Sequence, residues 1–193
     1  MLAAGLHAQE ATTITIRKGD TTSVALKALG GGEGAAATKV LQNDLDLSGW
    51  FSLTPPERAT YTIGGSASGA SLQGEVRDQS GSVVLQKTYS GGPRMAAHRF
   101  ADDIVETVAG RKGIASSRIA FVSSRTGRKE VYTADYDGAN VRQLTKDGSI
   151  SVAPALAPDG SKLAYTGYQS GYADIYLIEL ASGARGRIAK FPG

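Results

Sequence analysis

The chain has 193 residues, no cysteine and two histidines, with 41% hydrophobic and 20% charged side chains. The balance is globular, and the missing cysteine excludes a disulfide scaffold, a thiol nucleophile and cysteine-ligated metal or iron–sulfur sites. The formal charge of +3 is spread out with no block of five like charges, so nucleic acid is not an expected partner. No apolar run reaches the roughly 20 residues of a membrane-spanning helix.

The chain opens Met1-Leu2-Ala3-Ala4-Gly5-Leu6-His7-Ala8. Leu6-His7-Ala8 carries the small residue of a signal-peptidase site, while the basic and long apolar stretches of a full signal are missing. Residues 1–8 therefore read as the remnant of a signal peptide cut after Ala8, and export is expected.

Residues 9–112 alternate strands and helices. Thr13, Ile14, Thr15 and Ile16 alternate like a half-buried strand. Residues 24–29 form a second strand candidate, stopped by Gly30, Gly31 and Gly32. Ala37, Val40, Leu41 and Leu45 share one face of a helix over residues 35–48, and Gly49 stands where a C-terminal cap belongs. A short strand from Trp50 to Leu53 ends at Pro55-Pro56. Another strand starts at Tyr61. Residues 72–77 and 82–89 flank Asp78-Gln79-Ser80-Gly81 as a hairpin. Phe100, Ile104 and Val108 recur along a second helix over residues 96–109, with Asp102, Asp103 and Glu106 elsewhere on its surface, and Gly110 ends it. These elements make an α/β or α+β domain.

From residue 113 only short strands and turns follow, and they repeat. A shift of 44 residues places Arg118-Ile119-Ala120-Phe121 on Lys162-Leu163-Ala164-Tyr165, Gly127 on Gly171, Glu130-Val131-Tyr132 on Asp174-Ile175-Tyr176, and Leu144-Thr145-Lys146 on Ile188-Ala189-Lys190. That period with about four strands per copy is the signature of a β-propeller blade. Asp137-Gly138 and Ser182-Gly183 predict type I′ turns. Between the copies, Pro158-Asp159-Gly160 predicts a tight turn, with Asp159 bonded to its own backbone. Tyr132, Tyr165 and Tyr176 are assigned to the core, leaving Tyr168 and Tyr172 as surface aromatics.

Motifs for chemistry are weak. Gly30-Gly31-Gly32-Glu33-Gly34-Ala35 fits a dinucleotide loop between strand and helix, but no ribose-binding acid follows at the proper distance. No nucleophile elbow occurs, and His98 reads as a surface or interface histidine. Asp135, Asp137 and Asn140 lack the rest of a calcium loop. No cofactor, metal or catalytic residue is expected.

At Ala153-Pro154-Ala155-Leu156-Ala157-Pro158-Asp159-Gly160-Ser161-Lys162-Leu163-Ala164-Tyr165 the sequence resembles the propeller repeat of the TolB family. Pro154, Pro158, Asp159, Gly160 and Tyr165 carry the repeat. Upstream, residues 40–51 (VLQNDLDLSGWF) resemble that family's N-terminal helix and strand, Arg118 to Val122 its first propeller strand, and Asp135-Tyr136-Asp137-Gly138 the turn after it. The resemblance implies a periplasmic, non-enzymatic scaffold of the Tol–Pal envelope system, with an α/β N-terminal domain and a six-bladed propeller. It implies binding to a peptidoglycan-associated lipoprotein through the propeller and to a TolA-like protein through the extreme N-terminus. By position, Gln9, Glu10 and Ala11 become the TolA-facing candidates.

The expected organisation is a signal remnant (1–8), a TolB-like α/β domain (9–112) and an incomplete β-propeller (113–193). A closed propeller has roughly four to eight blades, so the chain is expected to be truncated, with self-association through open blade edges. The segment 55–71 shows no sign of the additional helix usual in the family. The expected role is support of envelope integrity, cell division and import. The alternative is a propeller-containing N-terminal fragment of a secreted serine peptidase, since such propellers share the Pro-Asp-Gly repeat.

Overall fold

The computed structural model describes residues 21–191. The signal remnant, the strand expected at residues 13–16 and the candidates Gln9, Glu10 and Ala11 lie outside the described residues. The first half contains β1 (Thr22–Leu26), α1 (Gly34–Ser48), β2 (Phe51–Leu53), a 3₁₀ turn (Pro56–Arg58), β3 (Tyr61–Ser68), β4 (Ser71–Asp78), β5 (Val83–Ser90) and α2 (Pro93–Ala109). Its sheet runs β2-β1-β3-β4-β5. β1 pairs in parallel with β2 and β3, and β3, β4 and β5 form an antiparallel meander.

Both helices cover one face of this sheet. α1 contributes Ala37, Leu41 and Leu45, and α2 contributes Ala97, Phe100 and Ile104. Below them lie Val24, Ile63, Leu72 and Val76. Each large apolar side chain removed from water contributes about 1.5–3 kcal/mol. β4 shows how the pattern works: Leu72, Gly74 and Val76 face the helices while Ser71, Gln73 and Arg77 face solvent. Gly74 is set by close approach, because a Cβ there would stand 2.6 Å from the Phe100 ring. Left-handed Gly49 (φ 72°) and Gly110 (φ 64°) end the helices as expected.

β1 ends earlier than the apolar run suggests. The Lys27 amide still donates to Ile63 O, but the Leu29 amide donates to the Thr38 hydroxyl of α1. The segment 55–71 contains a 3₁₀ turn and β3, with no α-helix.

The second half contains β6 (Arg118–Ser123), β7 (Glu130–Asp135), β8 (Arg142–Gln143), β9 (Ser151–Leu156), β10 (Lys162–Gly167), β11 (Asp174–Glu179) and β12 (Arg185–Ala189). Strands β6, β7 and β8 make a three-stranded sheet, and β9 to β12 a four-stranded one. All neighbours are antiparallel. The 44-residue shift is present in the ladders themselves: Phe121 pairs with Tyr132, and Tyr165 with Tyr176. Both ring pairs stack at 22°, with centroids 5.6 and 5.4 Å apart. A second core, of Val131, Leu163, Tyr165, Ile178 and Leu180, lies between the two sheets. The fold is thus an α+β unit followed by blade-like antiparallel sheets.

The hairpin turns differ from expectation. Gly138 (φ 80°) and Gly183 (φ 74°) are left-handed, but Asp137 and Ser182 are not, so neither turn is type I′. In the first, Gly138 N–H donates to Asp135 O, and Asp135 N–H to Ala139 O. This is a type I-like turn closed by a left-handed glycine. The second is one residue longer, because Glu179 N–H reaches Ala184 O. Left-handed Asn140 (φ 52°) takes up the difference, so Tyr132 opposite Gln143 still matches Tyr176 opposite Arg187.

Candidate functional site

The most concentrated polar chemistry lies where α2 meets the first blade. Arg94, His98 and Asp102 are spaced four apart and share one stripe of α2. His98 is 1% exposed, so of the two readings, surface or interface, it is the interface that holds. Its Nδ1 lies 2.6 Å from Oδ2 of Asp44 on α1. Burial pushes the Asp44 carboxyl above its ordinary range, and the His98 hydrogen bond offsets only part of this. Arg94 donates from Nε to Asp135 Oδ2 at 3.0 Å and from Nη2 to Asp137 Oδ1. Burial alone would raise the Asp137 carboxyl, but the Arg94 and Ala139 donors outweigh it and hold it low. The acids that faintly suggested a calcium loop therefore take a guanidinium, and Asn140 donates to Asp135.

Asp102 completes the stripe. It accepts the Ala115 amide at 2.5 Å and the Ser116 amide at 3.1 Å, which ties residues 113–116 to the helix. Gly113 permits this, since a Cβ there would lie 2.2 Å from Asp102 Cα. Asp103 accepts from Lys87 Nζ at 2.7 Å and the Tyr89 hydroxyl at 2.8 Å. Both acids are thus engaged rather than free on the helix surface.

The blades carry a second set of buried carboxylates. Glu130 opens β7 and accepts the Thr145 hydroxyl and the amides of Asp147 and Gly148. Asp174, 44 residues later, opens β11 and accepts the Ser170 hydroxyl, Arg187 and the Phe191 amide. In each copy the acid holds the backbone that leaves the last strand of its sheet. Asp147 accepts Ser151, Tyr165 and Arg185. Burial would raise Asp147, but Arg185 and Ser151 bring it below the usual range. Burial and Asp147 push the Tyr165 hydroxyl up.

Pro154 lies within β9, and residues 158–160 turn the chain from β9 into β10. Gly160 is left-handed (φ 69°), and Asp159 accepts the Ser161 amide at 2.9 Å, as the sequence predicts. Tyr165 and Tyr132 are buried, Tyr176 is half-buried, and Tyr168 and Tyr172 are exposed. The glycine loop after β1 is filled by protein. The Glu33 amide donates to Ala67 O, and Ala67 N–H to Gly30 O, so its glycines admit β3 rather than a pyrophosphate. Among the described residues, no serine or threonine hydroxyl bonds to His98.

Among the described residues, two faces stand uncovered: the helix-free face of the five-stranded sheet and the outer sheet of the blades. On the former, Ser66, Gln73, Glu75, Gln86 and Thr88 line a polar groove. On the latter, Tyr172, Ile188 and Phe191 stand exposed.

Residues 105–193 match the family description TolB beta propeller domain. A Protein TolB homolog of Chlorobium chlorochromatii is 36% identical across 92% of this chain and 49% of its own length. The Tol-Pal system protein TolB of Geobacter metallireducens is 32% identical across 84% of this chain and 47% of its own. Identity at this level runs through both the helix-covered sheet and the blades. The chain belongs to the TolB family. It spans about half the length of the curated relatives it matches. The crystal structure of TolB from Acinetobacter baumannii superposes with a TM-score of 0.78 over 90% of this chain and 51% of that one, at 23% identity. That likeness shows a shared TolB fold. No helix among the described residues is long and apolar enough to cross a membrane.

Proposed function

We propose that this TolB-family chain is a non-catalytic binding component of a Tol–Pal envelope system in the periplasm. Its partners in this reading are a TolA-like protein and a peptidoglycan-associated lipoprotein, and its role is envelope integrity, division and import. The observation that carries it is similarity along 84% of the chain to a relative named as a Tol-Pal system protein. In this reading residues 9–112 and 113–193 act as two domains after an export remnant at 1–8. Gln9, Glu10 and Ala11 contact the TolA-like partner, by strand pairing with an open edge. The lipoprotein meets the blades, whose exposed Tyr172 and Phe191 supply apolar area. Recognition then rests on shape and hydrogen bonding without turnover.

The test is binding of the full chain to the purified TolA-like protein and lipoprotein of the same envelope, by calorimetry. Retention of both, with Glu10→Ala weakening only the first, supports the reading. A folded chain that binds neither refutes it.

A further inference from the structure

We propose that the joint between α2 and the first blade is a divalent-cation site of the Zn²⁺ class, with His98, Asp135 and Asp137 as ligands and Asp44 as the carboxylate that orients His98. A ring nitrogen of His98 and one carboxylate oxygen of each of Asp135 and Asp137 lie within 4.8 Å of one another. A tetrahedral ion with bonds of about 2.0–2.1 Å sets its ligand atoms roughly 3.3 Å apart, so closure needs a shift of up to about 1.5 Å. Asp137 sits in the hairpin turn closed by left-handed Gly138, beyond the last paired residue of β7 with β6.

The second observation is the imidazole itself. His98 is buried, and its Nε2 has no hydrogen-bond partner among the described residues. Nδ1 is engaged by Asp44 at 2.6 Å. That bond places the proton on Nδ1 and leaves the Nε2 lone pair free to coordinate, the arrangement of carboxylate–histidine–zinc sites. One imidazole and two carboxylates suit zinc better than calcium or magnesium, which prefer oxygen-only shells. Asp137 also lines an open groove with Lys39, Asn43, Asp46 and Arg94, which gives an ion a way in.

Arg94 is the competitor. Its guanidinium now neutralises Asp135 and Asp137, and it is one-third exposed. An ion entering the site displaces it into the groove, towards Asp46. The groups facing the joint are then Asp44 on α1, Arg94 and His98 on α2, and Asp135 and Asp137 on β7 and its turn. Binding fastens α2 to the first blade, so cation occupancy couples the two halves of the chain. This inference stands apart from the envelope role, since it needs no protein partner.

The experiment is calorimetric titration of the chelator-stripped full chain with ZnCl₂, with thermal unfolding read in parallel. The expected result is one ion per chain and a raised unfolding midpoint. His98→Gln abolishes the binding, Asp44→Asn weakens it about 10- to 100-fold, and His7→Gln leaves it unchanged. Arg94→Gln tightens it, because a competing cation is gone. This variant also decides the matter if His98→Gln fails to fold. No binding heat, or zinc affinity unaltered in both Arg94→Gln and Asp44→Asn, would overturn the proposal.

Discussion

Removing the Glu130 side chain should destabilise the blades more than neutralising it. Glu130 is 3% exposed, and its two oxygens have different tasks. Oε1 accepts the amides of Asp147 at 3.0 Å and Gly148 at 3.2 Å. Oε2 accepts the Thr145 hydroxyl, whose oxygen in turn accepts the Val131 amide at 2.8 Å. In Glu130→Ala, two backbone donors and one hydroxyl lose their acceptor. A buried unsatisfied donor costs about 1–3 kcal/mol, but Gly148 is exposed and water can reach it. The expected loss is therefore about 2–6 kcal/mol, from Asp147 and Thr145. In Glu130→Gln the amide oxygen keeps both backbone donors and the NH₂ group can donate to Thr145 Oγ1, so only the buried Thr145 proton is left without its acceptor. That variant should lose about 1–3 kcal/mol. Urea unfolding followed by near-ultraviolet circular dichroism reads the blades, where Tyr132, Tyr165 and Tyr176 pack. The alanine variant should lower the midpoint about twice as far as the glutamine variant. Equal midpoints for the two variants would refute the claim that this carboxylate acts as a backbone acceptor.

Other consequences can be measured in the same way. Gly74→Val drives a side chain into the Phe100 ring and should cost about 1–3 kcal/mol. Combining it with Phe100→Leu should cost less than the sum of the two changes, and strict additivity would contradict the contact. Gly160→Ala forces a Cβ into the left-handed region and should cost about 1–2 kcal/mol; Gly32→Ala, with open space and no positive φ, should cost far less. The depressed carboxyls of Asp137 and Asp147 make the folded state bind fewer protons than the unfolded one. Their stabilisation is complete above the unfolded carboxylate value, about 3.9, and is lost as pH falls through the lower folded values. Asp44, raised by burial, works in the opposite sense and gives stability back on acidification. Asp147→Asn should therefore flatten the acid limb of a stability–pH curve, whereas Asp44→Asn should raise stability at neutral pH relative to acid pH. An acid limb unchanged by Asp147→Asn would count against the Asp147–Arg185–Tyr165 network as its source.

Local signals carried much of the fold. Left-handed glycines ended both helices and the Pro-Asp-Gly turn, because few other residues occupy that region cheaply. Apolar spacing marked Leu41 and Leu45 on α1 and Phe100 and Ile104 on α2. The 44-residue repeat anticipated the paired strands, since equal spacing in a meander gives equal register, while the stacking of their rings emerged only in the structure. The turn type was misread because a left-handed glycine serves both a type I′ pair and the closing position of a type I-like turn. The joint was missed for a different reason. Arg94, His98 and Asp102 recur every four residues, but a polar stripe on a helix usually faces water. Only the first blade, packed against that stripe, makes it an interface.

The order of strands and helices, the helix ends, the repeat period and the family membership follow from the sequence by itself, because each depends on residues near one another in the chain or on patterns that recur along it. The burial of His98 against Asp44, the capture of Asp135 and Asp137 by Arg94, and the paired roles of Glu130 and Asp174 as backbone acceptors were decided only in three dimensions. A carboxylate reads the same in a sequence whether it faces water or a buried amide. The difference lies in which distant donors the packed sheets and helices bring to it, and in the water they exclude.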